Sequence, residues 1–313
     1  MPSTTARQVV ILGTGGTIAG TADDPLDNVG YTAAQRGVAQ LLAAVPALAG
    51  QDLLAEQVAQ VDSKDMDATV WLALARRCAA HLARPEVAGV VVTHGTDTLE
   101  ETAWFLHRVL APGKPLVLTA AMRPATALLA DGPQNLLDAV TVAHSEGVRG
   151  VVAVLAGRVH AAARLRKVHP YRVEAFSSGE AGPLALVEEG QLRTFQPWPP
   201  ATTPLELPAV DPSAWPWVEV LLSHAGARPD AVRALCAAGV RGLVVATTGN
   251  GTVHGALETA LAEAERGGVA VWRATRCADG AIVGAAAGPA AAMSPWQARI
   301  ELQLRLLCGR GAG

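Results

Sequence analysis

The sequence predicts an α/β protein built in two parts, and three observations carry that expectation. Short aliphatic runs alternate with longer segments whose apolar residues recur at helical spacing. The runs at 9–12, 90–92, 115–120 and 151–155 are almost wholly apolar, as strands covered by helices on both faces must be. Seven of the chain's 20 prolines fall between residues 195 and 216, where neither a helix nor an inner strand is expected, and the alternation resumes at Trp217. The expected division is therefore a first domain over 1–195, a proline-rich linker over 196–216 and a smaller α/β domain over 217–313.

Composition removes several classes of function. With 313 residues and half of them hydrophobic, the chain can bury its cores without staples. The net charge is −3, and the one basic cluster, Arg164, Arg166 and Lys167, is too small for a polyanion, so no nucleic-acid partner is expected. The four cysteines, Cys78, Cys236, Cys277 and Cys308, form no C-x-x-C pair and read as reduced core thiols. Residues 1–7 are polar and lead into the first strand with no apolar h-region, and the longest apolar-looking run, 281–293, is interrupted by two glycines and a proline. A cytoplasmic protein with no membrane partner is expected. There are 22 arginines but only three lysines, Lys64, Lys114 and Lys167, and only lysine can lose its proton in a protein.

The first strand, at 9–12, breaks into Gly13-Thr14-Gly15-Gly16-Thr17-Ile18-Ala19-Gly20. Missing Cβ atoms let backbone amides approach a ligand, and in open α/β sheets ligands bind beyond the carboxyl ends of the strands. The dinucleotide fingerprint fails because Ile18 stands where a glycine is needed. The phosphate-loop pattern fails because Thr21-Ala22 replaces Lys-Ser/Thr. What remains is a turn carrying two hydroxyls, Thr14 and Thr17, as a site or as an ordinary capped turn. The loop that follows, 21–31, is dense in turn formers and carries Tyr31, as a lid or as a plain surface loop.

A helix is expected over 33–48 and a strand over 56–61, leading to Asp62-Ser63-Lys64-Asp65-Met66 and a helix over 68–83. Ser63 reads as a ligand contact or a helix cap. The strand at 90–92 runs into Thr93-His94-Gly95-Thr96-Asp97-Thr98, where Thr98 and Glu101 have capping-box spacing and Leu99, Ala103, Leu106 and Leu110 share one helix face. Thr96 and Asp97 then sit just before a helix N-terminus, as an anion-favouring site or an Asx-turn. His94 has no second histidine at ligand spacing and reads as structural.

The strand over 115–120 ends in Ala121-Met122-Arg123-Pro124, and Ala130-Asp131-Gly132-Pro133 opens another helix. After the strand over 151–155, the segment 158–176 has no clean period, and 184–195 reads as a hairpin around Glu188-Glu189-Gly190. In the second part, strands are expected at 217–222, 242–247 and 268–273 and helices at 228–238 and 254–266. A last helix opens at Ser294-Pro295-Trp296-Gln297. The turn Thr247-Thr248-Gly249-Asn250-Gly251 is its only obvious polar site.

Two stretches together resemble the signatures of the bacterial-type asparaginase/glutaminase amidohydrolases. They are Thr14-Gly-Gly-Thr-Ile-Ala-Gly20 and Val91-Val-Thr-His-Gly-Thr-Asp-Thr-Leu-Glu-Glu-Thr-Ala103, and the likeness continues through residues 62–66, 121–124, 130–133, Lys167, 175–176 and 249–251. The resemblance implies a larger flavodoxin-like N-terminal domain with a smaller α/β C-terminal one. It also implies hydrolysis of L-asparagine to L-aspartate and ammonia, with glutaminase or dual activity and a weakly active amino-acid sensor as alternatives. It assigns the nucleophile to Thr14 with Tyr31 nearby, and a second cluster to Thr96, Asp97 and Lys167. Lys167 then serves as a proton acceptor, a role a desolvated amine can fill. Asp97 would take the substrate's ammonium and Ser63 its carboxylate, with Gly95, the Ala121 backbone and Asn250 completing the contacts. The assembly implied is a homotetramer of intimate dimers, and no metal or organic cofactor is implied.

The chain departs from that family at two places. Lys64 stands where many relatives carry glutamine, and it would repel the substrate ammonium unless it turned outward. The region between Cys277 and Ser294 is short and holds Asp279 but no glutamate.

Overall fold

A computed structural model describes residues 7–200 and 202–309. The polar stretch 1–7, Arg7 apart, lies outside the described residues. The chain divides into two compact units, the first ending at Pro204 and the second starting at Leu205, so the division falls inside the proline-rich stretch.

The first unit carries, in chain order, β1 (Gln8–Gly15), α1 (Val38–Ala43), β2 (Leu53–Val61), α2 (Ala68–Leu82), β3 (Val87–Thr93), α3 (Leu99–Leu110) and β4 (Pro115–Thr119). There follow α4 (Gly132–His144), β5 (Gly150–Leu155), β6 (Arg158–Ala161), β7 (Arg166–Lys167), β8 (Phe176–Ser177), β9 (Ala185–Glu188) and β10 (Gln191–Thr194). The main sheet runs β10-β9-β6-β5-β4-β3-β1-β2. Its strands β2, β1, β3, β4 and β5 are parallel in the flavodoxin order 2-1-3-4-5, and β6, β9 and β10 extend it antiparallel.

Alternation within each strand feeds two helix layers. Val9, Ile11, Val91, Val117 and Val152 pack with Val38 and Leu41 of α1 and Leu136, Ala139 and Val140 of α4. Val10, Leu12, Val90, Val92, Leu116 and Leu118 point to the other face, on which α2 and α3 lie, and are equally buried. Full burial of each such side chain stabilises by about 1.5–3 kcal/mol. The β9–β10 hairpin closes through Glu189 and Gly190, both with positive φ (49° and 72°), as a two-residue turn of the right twist requires.

The second unit holds β11 (Val218–Leu222), α5 (Asp230–Ala237), β12 (Gly242–Thr247), α6 (Gly255–Arg266), β13 (Ala270–Thr275) and α7 (Pro295–Leu307). Its three strands are parallel in the order β11-β12-β13. Val232, Leu257 and Leu261 cover one face and Ala298 and Leu302 of α7 the other. The capping box expected at the start of α7 is formed, with Gln297 N–H donating to Ser294 Oγ at 3.1 Å and Ser294 N–H to Gln297 Oε1 at 3.3 Å.

Some elements differ from the sequence reading. The helix expected over 33–48 shrinks to the six residues of α1 and a single turn at Pro46–Leu48. Ala34 has φ +57°, and Ala34, Gln35 and Arg36 give their N–H groups to Gly16 and Ala19 carbonyls instead of to a helix. Of the cysteines read as core thiols, Cys78 is buried, Cys236 and Cys308 are intermediate and Cys277 is exposed. Among the described residues no helix is long and apolar enough to cross a membrane, and no three His, Cys, Asp or Glu side chains gather as a metal site.

Candidate active site

The sheet reverses its winding between β1 and β3, the switch point at which ligands bind in such folds. Both strands end in glycine turns that abut. A Cβ on Gly16 would lie 2.3 Å from both the N and Cα of Gly95, and one on Gly95 would lie 2.4 Å from Ser63 Oγ. Gly16 also adopts φ 80°, ψ −172°, a region only glycine occupies freely. Thr17 and Thr96 each follow one of the touching glycines. Gly16→Ala is expected to lower stability by about 3 kcal/mol or more in urea unfolding. A loss under about 1 kcal/mol would show that the turns do not touch.

The two hydroxyls of the first turn go to different places. Thr14 is 1% exposed and donates from Oγ1 to the Thr93 carbonyl at 2.9 Å, tying β1 to β3 beneath the turn. Thr17 Oγ1 lies 2.6 Å from Tyr31 Oη. Tyr31 packs its ring over Gly20, where a Cβ would come within 2.8 Å of a ring carbon. Burial pushes its phenol above the ordinary tyrosine range, with the Thr17 bond opposing and the Asp97 and Asp62 charges adding.

The loop carrying Tyr31 is pinned at its neck by paired bonds between Thr21 and Thr32, both 2.9 Å. It is stitched to the segment after β4 by Ala22 N–H to Thr126 Oγ1 (2.8 Å) and Leu128 N–H to the Pro25 carbonyl (3.0 Å).

At the end of β3, Thr96 Oγ1 accepts from Lys167 Nζ at 3.0 Å, and the same ammonium meets Asp97 Oδ1 at 2.5 Å. Lys167 arrives from β7, held by its own backbone, because its N–H donates to the buried carboxylate of Glu100 on α3 at 2.8 Å. Ser63 Oγ accepts the Asp97 N–H at 3.2 Å. The capping box expected from Thr98 and Glu101 does not form. Thr98 Oγ1 donates instead to the Ser63 carbonyl at 2.7 Å, which fastens the Ser63 turn to the start of α3.

His94 is buried, and desolvation lowers its pKa to about 4, so the ring is neutral. Its Nδ1 lies 2.7 Å from the Gly95 carbonyl, which only an N–H can approach, leaving Nε2 to accept from Thr102 Oγ1 at 3.0 Å. Thr102 in turn accepts from Trp71 Nε1 at 2.9 Å.

Thr17, Tyr31, Thr96, Asp97, Lys167 and Ser63 thus belong to one strand-end cluster, a hydroxyl-based arrangement with an amine and a carboxylate at hand. The sequence matches two family descriptions: residues 8–200 match "Asparaginase, N-terminal", and residues 217–312 match "Glutaminase/Asparaginase C-terminal domain". The chain belongs to the asparaginase family.

Asparaginase-family relatives align along most of the chain. A Glutaminase-asparaginase from Pseudomonas fluorescens biotype A is 38% identical over 90% of this chain and 78% of its own. L-asparaginase 2 from Escherichia coli K12 is 36% identical over 95% of this chain and 88% of its own. The crystal structure of a probable cytoplasmic L-asparaginase from Campylobacter jejuni superposes with a TM-score of 0.89 at 32% identity, covering 98% of this chain and 96% of that one.

Within this asparaginase frame, Lys64 lies away from the cluster. Its ammonium pairs with Asp65 and, at 3.6 Å, with Asp62, and its side chain is 61% exposed. It has turned outward, the one arrangement in which it does not oppose a substrate ammonium. Lys64→Gln is expected to change KM by less than about twofold, since exposed pairs contribute roughly 1 kcal/mol or less. A tenfold fall in KM would place the ammonium in the site.

Asn250 belongs to the second unit, where its carboxamide is committed at both ends to Val283: Nδ2 donates to the carbonyl at 3.0 Å and Oδ1 accepts the N–H at 2.7 Å. Asp279 is exposed on the loop that this pair holds. Two supports of the asparaginase cluster were not read from the sequence. Glu100 carried no signal beyond lying beside a capping pattern. Asp131, which reads only as a helix opener, accepts the N–H groups of Met122 and Arg123.

Proposed function

We propose that this chain hydrolyses L-asparagine to L-aspartate and ammonia through an acyl-enzyme, with Thr17 rather than Thr14 as the nucleophile. The observation that carries the reading is the Thr17 hydroxyl facing Tyr31 in a turn whose backbone touches that of the Thr96–Asp97–Lys167 cluster. What speaks for Thr17 over Thr14 is that the Thr14 hydroxyl is buried and donates to the Thr93 carbonyl.

Thr17 Oγ adds to the side-chain carbonyl carbon of asparagine. Its proton passes to Tyr31, which rests as the neutral phenol and so must hand its own proton on toward the departing nitrogen. Ammonia leaves, and the Thr17 ester forms. Thr96, with Lys167 and Asp97 behind it, exchanges protons with the second half of the site, where water attacks the ester and aspartate departs. Asp97 matches the substrate ammonium and Ser63 its carboxylate, while Gly95 and the Ala121 backbone border the side-chain amide. Asn250 would reach the site of a partner copy across the dimer, giving up its bonds to Val283 to do so.

A second reading, dual asparaginase and glutaminase activity, is favoured by the likeness to a Glutaminase-asparaginase. One methylene is worth only about 1–3 kcal/mol in a pocket. Ammonia release from L-asparagine and L-glutamine, measured side by side, separates the two readings. Tight amino-acid binding without turnover would make the protein a sensor.

The same proposal takes 1–195 and 217–313 as the two asparaginase domains, with 196–216 as linker. It places the protein in the cytoplasm, in line with the description of the Campylobacter jejuni relative. It takes the assembly as a homotetramer of intimate dimers. Leu26, Val29, Leu128 and Leu129, each at least 70% exposed on and beside the Tyr31 loop, supply apolar surface for a second copy.

A further inference from the structure

Lys167 stands at the end of a very short ladder. Strands β7 and β8 pair Arg166 with Ser177 and Lys167 with Phe176, and beyond Lys167 the chain leaves the pairing for a loop over 168–175 on which Val168 and Tyr171 are exposed. His169 gathers that loop. Its Nδ1 accepts the Tyr171 N–H at 3.0 Å and the Arg172 N–H at 2.9 Å. Between them and His169 stands Pro170, which has no N–H and a fixed φ, so the turn is preset and these two are the first donors to follow. The N–H groups of Val168 and His169 both go to the Ala175 carbonyl, at 2.8 and 3.3 Å, and close the loop back against Lys167.

Two donors on one ring nitrogen fix the state of the ring. Only a lone pair accepts from an N–H, so Nδ1 is bare and the neutral ring carries its proton on Nε2. A proton added to Nδ1 would set a donor against two donors, and both bonds would be lost. On its N-terminal side residue 167 is tied by its own N–H to Glu100 at 2.8 Å, and on its C-terminal side it depends on this loop. The 3.0 Å bond from Lys167 Nζ to Thr96 Oγ1 depends on both ties, and a displacement of about 1 Å can cost about a hundredfold in rate. The charged groups around the loop are Lys167 and Arg172 on either side of His169, Glu174, which meets Arg158 of β6 at 3.6 Å, and Asp97 and Glu100, which hold residue 167.

We propose that His169 is a positioning residue for Lys167: its bare Nδ1 holds the loop that fixes the C-terminal side of residue 167, and with it the amine at Thr96. This rests on the asparaginase reading above, in which Lys167 carries a proton. His169 acts through the loop and not on the substrate. Activity then depends on a neutral His169. Acidification from about pH 8 to 5, the range in which histidine changes charge, releases the loop and loosens the amine, so the loss falls on kcat.

The test compares His169→Asn with His169→Ala. The Oδ1 of asparagine accepts N–H groups two and three residues on in the same kind of turn but takes up no proton, whereas alanine offers no acceptor. At pH 8, His169→Asn is expected to keep at least about half of the wild-type kcat for asparagine. His169→Ala is expected to lose about tenfold, the factor of one ordinary hydrogen bond, with KM within about twofold. As the pH falls from about 8 to 5, the ratio of kcat in His169→Asn to kcat in the wild type is expected to rise about tenfold, and titrations shared by the two proteins cancel in that ratio. A ratio that stays within about twofold over the range overturns the assignment, as does a His169→Ala protein as active as His169→Asn at pH 8, or a loss carried by KM alone. If His169→Ala fails to fold, the ratio between His169→Asn and the wild type decides by itself. A wild type that releases no ammonia from asparagine, or a Lys167→Met protein with the wild-type kcat, would instead sink the asparaginase reading or the role it gives Lys167, which is a separate outcome.

Discussion

Thr17→Val is expected to lower turnover of asparagine by about four orders of magnitude or more, the scale on which removing a covalent nucleophile acts, while leaving the fold intact. Valine keeps the shape of threonine, and the Thr17 hydroxyl bonds Tyr31 on the loop and not the core, so little stability should be lost. Thr14→Val is expected to do the reverse. It removes the donor to the Thr93 carbonyl inside the sheet, which costs about 1–3 kcal/mol of stability, and the folded fraction should turn over asparagine within about tenfold of the wild type. Steady-state kinetics together with thermal unfolding of both variants separate the two threonines. An active Thr17→Val protein beside an inactive but folded Thr14→Val protein would return the nucleophile to Thr14.

Lys167 gives the second large effect. Lys167→Met and Lys167→Arg are both expected to lower kcat by about two to four orders of magnitude, the usual contribution of a positioned proton carrier. Arginine keeps the charge and can still meet Asp97, but it cannot lose a proton, so it should be no better than methionine. Glu100 holds the backbone of residue 167, so each replacement starts from the same place and the comparison reads the side chain alone. If Lys167→Arg kept more than about a tenth of the wild-type kcat, the ammonium would be acting through its charge only.

Much of this arrangement was legible in the residues. Aliphatic runs of strand length separated by helical periods gave the α/β class, because burial on both faces leaves no room for polar residues in the inner strands. The proline-dense stretch marked the region in which the chain divides, since proline removes backbone donors. The strand-end position of Thr17, Thr96 and Asp97 followed from the same pattern. The preference for Thr17 over Thr14 proposed above did not, because two hydroxyls three residues apart can lie on opposite sides of a glycine turn, and that proposal leans on the path of the chain through Gly15 and Gly16, at φ 105° and 80°. Helix 33–48 was overread for a related reason. Its first residues satisfy carbonyls of the glycine turn, a partner that local periodicity cannot show. Thr98 has capping-box spacing with Glu101, yet its hydroxyl has a nearer acceptor in the Ser63 carbonyl, brought up from a different strand.

The contact between Gly16 and Gly95 is made by main chain on both sides, with no rotamer between them. The distance separating the two turns is consequently insulated from the choice of side chains that border them. Under the mechanism proposed above, residues on the Tyr31 loop are expected to be exchangeable for a longer or bulkier amide while Thr17 and Thr96 keep their spacing, so that substrate preference and chemical competence would be altered separately.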